Sequence, residues 1–175
     1  GDRLTIAVEG IPLDDELKAA LPPHVQKLWE QLRPTGTADA TLDLHGVDAG
    51  GWRQELQLRS QEMKITYEKF PCPATVKECN ATWDKETMRL TGGKLDVFGS
   101  DVQLTGEVSI GSEKPSKLRF EFKDLDLESG ILDYLPDQTQ NVLKQFAMKG
   151  KVTGALDVTY GRNTPASWAL QIRSS

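Results

Sequence analysis

The chain has 175 residues, of which 38% are hydrophobic and 27% are charged, and its formal net charge is −5 at pH 7. This length can bury a real core, and the composition lies near globular averages, which excludes a disordered chain. The acidic balance and the absence of a basic stripe argue against a nucleic-acid partner, because nucleic-acid binders collect Lys and Arg on one face.

The ends of the chain and its hydropathy indicate a fragment. The sequence contains no run of eighteen apolar residues and no signal peptide, and it begins Gly-Asp without a methionine. We therefore expect a piece of a longer chain, which would reach a membrane only through its other parts.

The first predicted elements are a one-sided strand and a helix. Leu4, Ile6 and Val8 alternate with polar residues, as in a strand with one dry face. An acidic turn at 13–15 follows, and a helix is predicted after 21–22, since proline is tolerated in a first turn. Its apolar face consists of Val25, Leu28, Trp29 and Leu32.

From Gly36, which is predicted to end the helix and open a strand, apolar and polar residues alternate through most of the chain. At Gly92-Gly93 the apolar positions change from even to odd residue numbers, which predicts a bulge or turn. We predict a mainly β (α+β) fold, a long antiparallel meander sheet of about ten strands, curled, with one short amphipathic helix per repeat. The dry-face residues include Ala38, Ala40, Leu42 and Leu44; Leu56 and Leu58; Met63, Ile65 and Tyr67; Cys79, Ala81 and Trp83; Met88 and Leu90; Leu95 and Val97; Val102, Leu104 and Val108; Val152, Leu156 and Val158; Leu170 and Ile172.

An internal repeat at an offset of 114 residues organises these elements. Between residues 4 and 60, 13 of the 57 pairs at this offset are identical, where about three or four are expected by chance from average amino-acid usage. We predict a first repeat unit at 1–114 and the first part of a second unit at 115–175. The second helix would present Thr139, Val142, Leu143 and Phe146.

No cluster of residues predicts a reaction. Only His24 and His45 could be imidazole bases, and both positions are typical of surface histidines. Nucleophile-elbow, Walker and dinucleotide motifs do not occur. The acidic stretch 124–128 does not fit a calcium loop, because Leu135 stands where the bidentate glutamate belongs. We expect no enzyme, no cofactor and no metal.

The two cysteines leave two interpretations open. Cys72 and Cys79 match no zinc spacing and are predicted at the ends of neighbouring strands. A disulfide across a turn is one interpretation, and two unrelated thiols is the other.

Several stretches together resemble a known family. These are 21–36, Thr41-Leu42-Asp43-Leu44, Phe70-Pro71 and the strands closing at Gly92 and Gly106. Over most of the chain they resemble the AsmA-like superfamily of TamB/YhdP-like repetitive envelope proteins. The resemblance implies an open sheet curled into a groove whose apolar inner face carries phospholipid acyl chains between two membranes. It also implies a place in the periplasm or cell envelope, anchored through the parent protein.

The implied function is a non-enzymatic segment that binds or conducts lipid acyl chains in outer-membrane biogenesis. The family's groove is defined by side-chain character, so the resemblance transfers no single ligand residue. An alternative is a structural spacer or protein-interaction module whose helices roof the sheet. On the first interpretation, the expected lipid-facing residues are Leu42, Leu44, Leu56, Leu58, Ile65, Leu90, Val102, Leu104, Phe120 and Phe122.

Overall fold

A computed structural model describes residues 3–21, 23–47, 51–60, 62–67, 70–83, 86–109, 113–135, 137–145, 149–161 and 165–174. The fold is mainly β, as predicted, with 64% of the described residues in strands. A 3-10 helix, Ile131–Tyr134, precedes the third α-helix. In chain order the other elements are β1 (Arg3–Pro12), α1 (Asp15–Ala20), α2 (Pro23–Leu32), β2 (Thr37–Val47), β3 (Gly51–Arg59), β4 (Lys64–Tyr67), β5 (Phe70–Trp83), β6 (Thr87–Val97), β7 (Ser100–Ser109), β8 (Ser116–Asp126), α3 (Asp137–Gln145), β9 (Lys151–Tyr160) and β10 (Ser167–Ser174).

All ten strands belong to one antiparallel sheet. Nine of them follow the order β1-β2-β3-β5-β6-β7-β8-β9-β10, and β4 pairs with β5. Strands β3 and β4 lie in line along the same edge of β5, because Leu58 pairs with Cys79 and Ile65 pairs with Ala74. The sheet does not close, so β1 and β10 are the edges at the two ends of this order, and β4, which pairs with β5 alone, is a short third edge. The predicted open meander of about ten strands is confirmed.

Strands β8, β9 and β10 pair with one another in the same register as β1, β2 and β3, once 114 is added to each residue number. Thr5 lies opposite Asp43, and Arg119 lies opposite Asp157. The pairing of β9 with β10 likewise repeats the register of β2 with β3 at the same offset. Three strands and both of their interfaces therefore have matching geometry at the two places.

A bulge also occurs at corresponding positions of β1 and β8. Gly10 has φ of 63° and Asp124 has φ of 53°, in the left-handed region that glycine and aspartate tolerate best. The backbone N–H of Gly10 donates to Asp39 Oδ1 at 2.7 Å, and that of Asp124 donates to Thr153 Oγ1 at 3.2 Å. Each bulge is thus held by a side chain of the neighbouring strand.

Two glycine predictions have different outcomes. The parity change at Gly92-Gly93 is a bulge in β6, because the pairing with β7 shifts between Leu90 and Gly93. The prediction that Gly36 ends the first helix is wrong, since α2 ends four residues earlier, at Leu32. The prediction that Gly36 opens a strand is confirmed, because it directly precedes β2, with φ of 96°.

The sheet curls over its own apolar face. The rings of Tyr67 on β4 and Tyr160 on β9 lie 5.9 Å apart, although four strands separate β4 from β9 in the sheet. Adjacent strands rotate by roughly 20–25°, so five steps turn the sheet by roughly 100–125°. This turn brings distant strands face to face around a core. The buried residues of that core are Ala38, Met63, Cys72, Val76, Leu95, Val97, Val102, Phe122, Leu125, Leu127, Ile131 and Val152.

The helices cover little of the sheet. Among the described elements, the main helix–sheet contacts join α2 to β4 and the 3-10 helix to β5. The predicted apolar face of α2 is half-buried. In α3, Leu143 is buried but Val142 is exposed. Phe146 and the side chain of Thr139 lie outside the part of the chain that is described.

The two cysteines are free, and both lie on β5. At a strand rise of about 3.3 Å per residue, a separation of seven residues places their Cα atoms roughly 20 Å apart. A disulfide needs Cα atoms within roughly 7 Å. The prediction that they end neighbouring strands is therefore wrong, and the folded chain cannot form the disulfide.

Both cysteines are expected to resist modification in the folded protein. Burial raises the pKa of the Cys72 and Cys79 thiols to about 11. Since the thiolate is the nucleophile, little reactive sulfur exists near pH 8. We expect slow labelling by iodoacetamide in native buffer and two rapid additions in denaturant, followed by intact-protein mass spectrometry. Native labelling of either thiol as fast as free glutathione would contradict this expectation.

Candidate functional site

The first three strands carry an uncovered apolar surface, which we call the open apolar patch. Leu4, Ile6 and Val8 of β1 are 50%, 44% and 46% exposed. Four leucines on the neighbouring strands β2 and β3 are half-buried. The patch consists of Leu4, Ile6, Val8, Leu42, Leu44, Leu56 and Leu58.

The register of the strands makes this patch continuous. Ile6 lies opposite Leu42, and Leu42 lies opposite Leu56. Leu4 and Leu44 are paired in the adjacent row. Directly opposed residues have Cβ atoms about 4.5–5.5 Å apart, within contact distance of branched side chains. The three strands therefore present a single aliphatic surface.

The corresponding strands β8, β9 and β10 bear the same pattern but are covered. Phe122, at the position matching Val8, is 8% exposed, and Val158, matching Leu44, is 4% exposed. Half-buried Leu156 and Leu170, which match Leu42 and Leu56, pack against the core. The curl of the sheet covers this second surface, whereas none of the seven patch residues belongs to the core cluster.

The opposite face of these strands is polar and held by hydrogen bonds. The Asp43 carboxylate accepts a hydrogen bond from the Thr5 hydroxyl and one from Arg3 Nη2 at 3.1 Å. The bond from Thr5, followed by that from Arg3, holds the pKa of Asp43 below its ordinary value of 3.8. Arg119 Nη1 pairs with Asp157 at the matching place, at 2.8 Å. The charged groups of both three-strand units thus lie on the face away from the patch.

A shallow depression of about 490 Å³ lies on the polar side and is lined by Ser60, Thr75, Lys77 and Asp96. Lys77 Nζ is 2.8 Å from Asp101 Oδ1 and 3.6 Å from Asp96 Oδ2. Hydrogen bonding to Asp101 raises the pKa of Lys77. Because both carboxylates lie close to Lys77, the depression offers no unpaired lysine to an anionic ligand.

The structure divides the ten residues that we expected to face lipid. Leu42, Leu44, Leu56 and Leu58 lie in the open apolar patch. Half-buried Ile65, Leu104 and Phe120 pack against the core, and Leu90 is half-buried on β6. Val102 and Phe122 are themselves core residues, 6% and 8% exposed, so here they contact other side chains of the sheet, and their contact with lipid stays a prediction. The curl of the sheet buries them.

Sequence reasoning leaves out the most exposed part of the patch. The alternation identifies Leu4, Ile6 and Val8 as one face of a strand, but does not mark them as lipid-facing residues. Their exposure follows from the position of β1 at the edge of the sheet. The alternation of residues marks a dry face but does not indicate which strand is an edge.

Neither a metal centre nor a membrane helix is found within the described ranges. No group of three or more His, Cys, Asp or Glu residues there could hold a metal ion. No helix there is long and apolar enough to cross a membrane. His45 is half-buried on β2, and the side chain of His24 lies outside the described part of the chain.

Comparisons with protein-family models, curated proteins and solved structures find no match. The open apolar patch is therefore the feature from which a function must be argued. Its chemistry is simple, since aliphatic side chains offer dispersion contacts and release of water, and no acid, base or nucleophile.

Proposed function

We propose that this chain is a non-enzymatic segment of an AsmA-like cell-envelope protein that binds or conducts lipid acyl chains. The observation that carries the proposal is the open apolar patch, with Leu4, Ile6 and Val8 about half exposed. Contiguous apolar surface on a folded protein marks a site of interaction. We place the protein in the periplasm or cell envelope, anchored through its parent chain, where it would serve outer-membrane biogenesis.

The shape and chemistry of the patch suit an acyl chain. Rows of paired side chains run across three strands, so a flexible hydrocarbon can lie along them without needing a polar anchor. Each methylene that leaves water contributes about 0.8 kcal/mol. Exposed charged groups on the opposite face, such as Arg3, would remain hydrated while the chain is bound.

The organisation of the chain supports a repetitive parent protein. We infer that 1–114 is one full unit and 115–175 the first part of a second, each with one short amphipathic helix. The matching registers of β1–β3 and β8–β10 support this inference. Further units that continue the sheet beyond β10 would be its main partners within the same chain.

The experiment is native mass spectrometry of the protein produced in bacteria, with organic extraction of whatever it carries. Titration with a fluorescent fatty acid, dansyl-undecanoate, then measures binding directly. The test variant is Leu56→Glu, which places a charge in the patch. The matched control is Gln57→Glu, one residue further along β3 on the opposite face.

We expect phospholipid near one molecule per chain. Leu56→Glu should weaken binding of the probe by about tenfold or more, because an unpaired carboxylate would have to be desolvated. Gln57→Glu should bind as the original chain does. A folded protein that carries no lipid and does not bind the probe would refute the proposal.

The edge strands at the two ends of the sheet favour a second candidate function. Strands β1 and β10 each pair with one neighbour only. An unpaired edge is a template for another strand, so the chain could instead be a structural spacer or protein-interaction module. Lipid-free protein in the experiment above would support this candidate.

A further inference from the structure

The edge strand β1 has one side of its backbone unpaired, and it carries three of the most exposed apolar side chains of the described chain. Only β2 pairs with it, and three of the five exposed large hydrophobic residues lie on it. Its regular part ends at the bulge around Gly10, which the Asp39 side chain holds. Residues 3–9 are therefore an extended segment with one free side.

The sequence of this segment is complementary to itself. When two copies run antiparallel with Ile6 opposite Ile6, Leu4 faces Val8 and Arg3 faces Glu9. The apolar residues meet on one face, and two Arg–Glu pairs of opposite charge form on the other. In an antiparallel ladder, alternate residues point their backbone groups to the same side, so this register also matches donors with acceptors.

We propose that β1 pairs with β1 of a second copy of this chain, antiparallel and about a twofold axis at Ile6. The two sheets then become continuous, and their open apolar patches meet at the axis. Arg3 can contribute because its guanidinium holds Asp43 with a single bond at 3.1 Å and has further donors. Glu9 is exposed and forms no ion pair with the described residues.

The other edge of the sheet fits a second copy less well. The apolar residues Leu170 and Ile172 of β10 already pack against the core. The strand carries Arg173 and no carboxylate, so two antiparallel copies would gain no pair of opposite charges. Self-association is therefore assigned to β1, and it can be measured without any lipid.

The association is measured by sedimentation velocity over a range of protein concentrations. Because seven paired residues per strand make a small interface, we expect a reversible dimer at roughly 100 µM protein. Its mass should be twice that of the 19.4 kDa chain. Ile6→Lys should weaken the dimer by about tenfold or more, since two like charges would meet at the axis. Gln171→Lys, which adds the same charge on exposed β10, should leave it unchanged.

A charge-exchange experiment tests the register itself. Glu9→Arg alone and Arg3→Glu alone should each be monomeric, because like charges face one another in both homodimers. Mixing the two variants should restore a dimer of one copy of each. Thermal melts confirm that both variants are folded before mixing, which matters because Arg3 also bonds Asp43.

Three outcomes would overturn the proposal. The first is an original chain that stays monomeric at all concentrations. The second is a dimer that Gln171→Lys breaks and Ile6→Lys does not. The third is a mixture of the two folded charge variants that remains monomeric. A dimer that responds to Ile6→Lys and returns in the mixture supports pairing through β1.

Discussion

Gly36→Ala is expected to lower the free energy of unfolding by about 2–5 kcal/mol. Gly36 has φ of 96°, and a Cβ placed on it would lie 2.3 Å from the backbone oxygen of Glu62. The new methyl group would meet backbone, which cannot move aside as a flexible side chain can. The change therefore combines left-handed strain with a displacement of the segment that leads into β4.

The chain provides a matched control for this substitution. Gly150 lies 114 residues later, also directly before a strand, with φ of 78° and no atom within 4 Å of the position that a Cβ would take. Gly150→Ala should cost only the left-handed strain, about 1–2 kcal/mol. Urea denaturation of both variants measures the difference. Equal losses would show that the close approach to Glu62 contributes nothing.

Leu95→Ala is expected to lower the free energy of unfolding by about 2–5 kcal/mol. Leu95 lies on β6, is 4% exposed and belongs to the core cluster. Removing three heavy atoms there leaves a cavity that the surrounding strands can fill only in part. Chemical denaturation gives the value directly.

The same truncation in the open apolar patch serves as its control. Leu42 is half-buried on β2 and outside the core cluster, so Leu42→Ala should cost only about 1 kcal/mol. A loss as large as that of Leu95→Ala would mean that the patch is packed in solution. Lipid would then have no exposed apolar surface to bind at the patch.

Much of the sheet could be predicted from the sequence because the pleat has a period of two. Leu4, Ile6 and Val8 identify β1, and Leu56 and Leu58 identify β3, without any knowledge of their partners. Short connections between successive strands then favour an antiparallel meander. These are local properties, so the strand pattern and the open meander follow from the sequence.

Which apolar residues of the sheet are buried and which stay exposed could not be predicted, because burial depends on contacts between distant strands. Tyr67 and Tyr160 meet only because twist accumulates over several strands. The same twist buries Phe122 and leaves its counterpart Val8 in solvent, although both belong to the same alternating pattern. No property of the neighbouring residues distinguishes the two positions.

The wrong assignment of Cys72 and Cys79 to neighbouring strands has a local cause. Strand β5 is long, and its pairing with β6 shifts between Val76 and Glu78. The shift interrupts the alternation, so the segment resembles the ends of two strands. Pro73 within it strengthens that impression, since proline is uncommon inside a sheet. The pattern consequently assigns Cys72 and Cys79 to neighbouring strands rather than to a single one.

The matching registers of β1–β3 and β8–β10 make the sheet extensible. A strand order that pairs in this way at two places can be followed by another unit without changing the partners of the first two. Each added unit would lengthen the sheet, and the curl would decide how much of its apolar face stays exposed, as it does for β8, β9 and β10. Gene duplication, rather than redesign of individual positions, would be the means by which selection adjusts the length of such a surface.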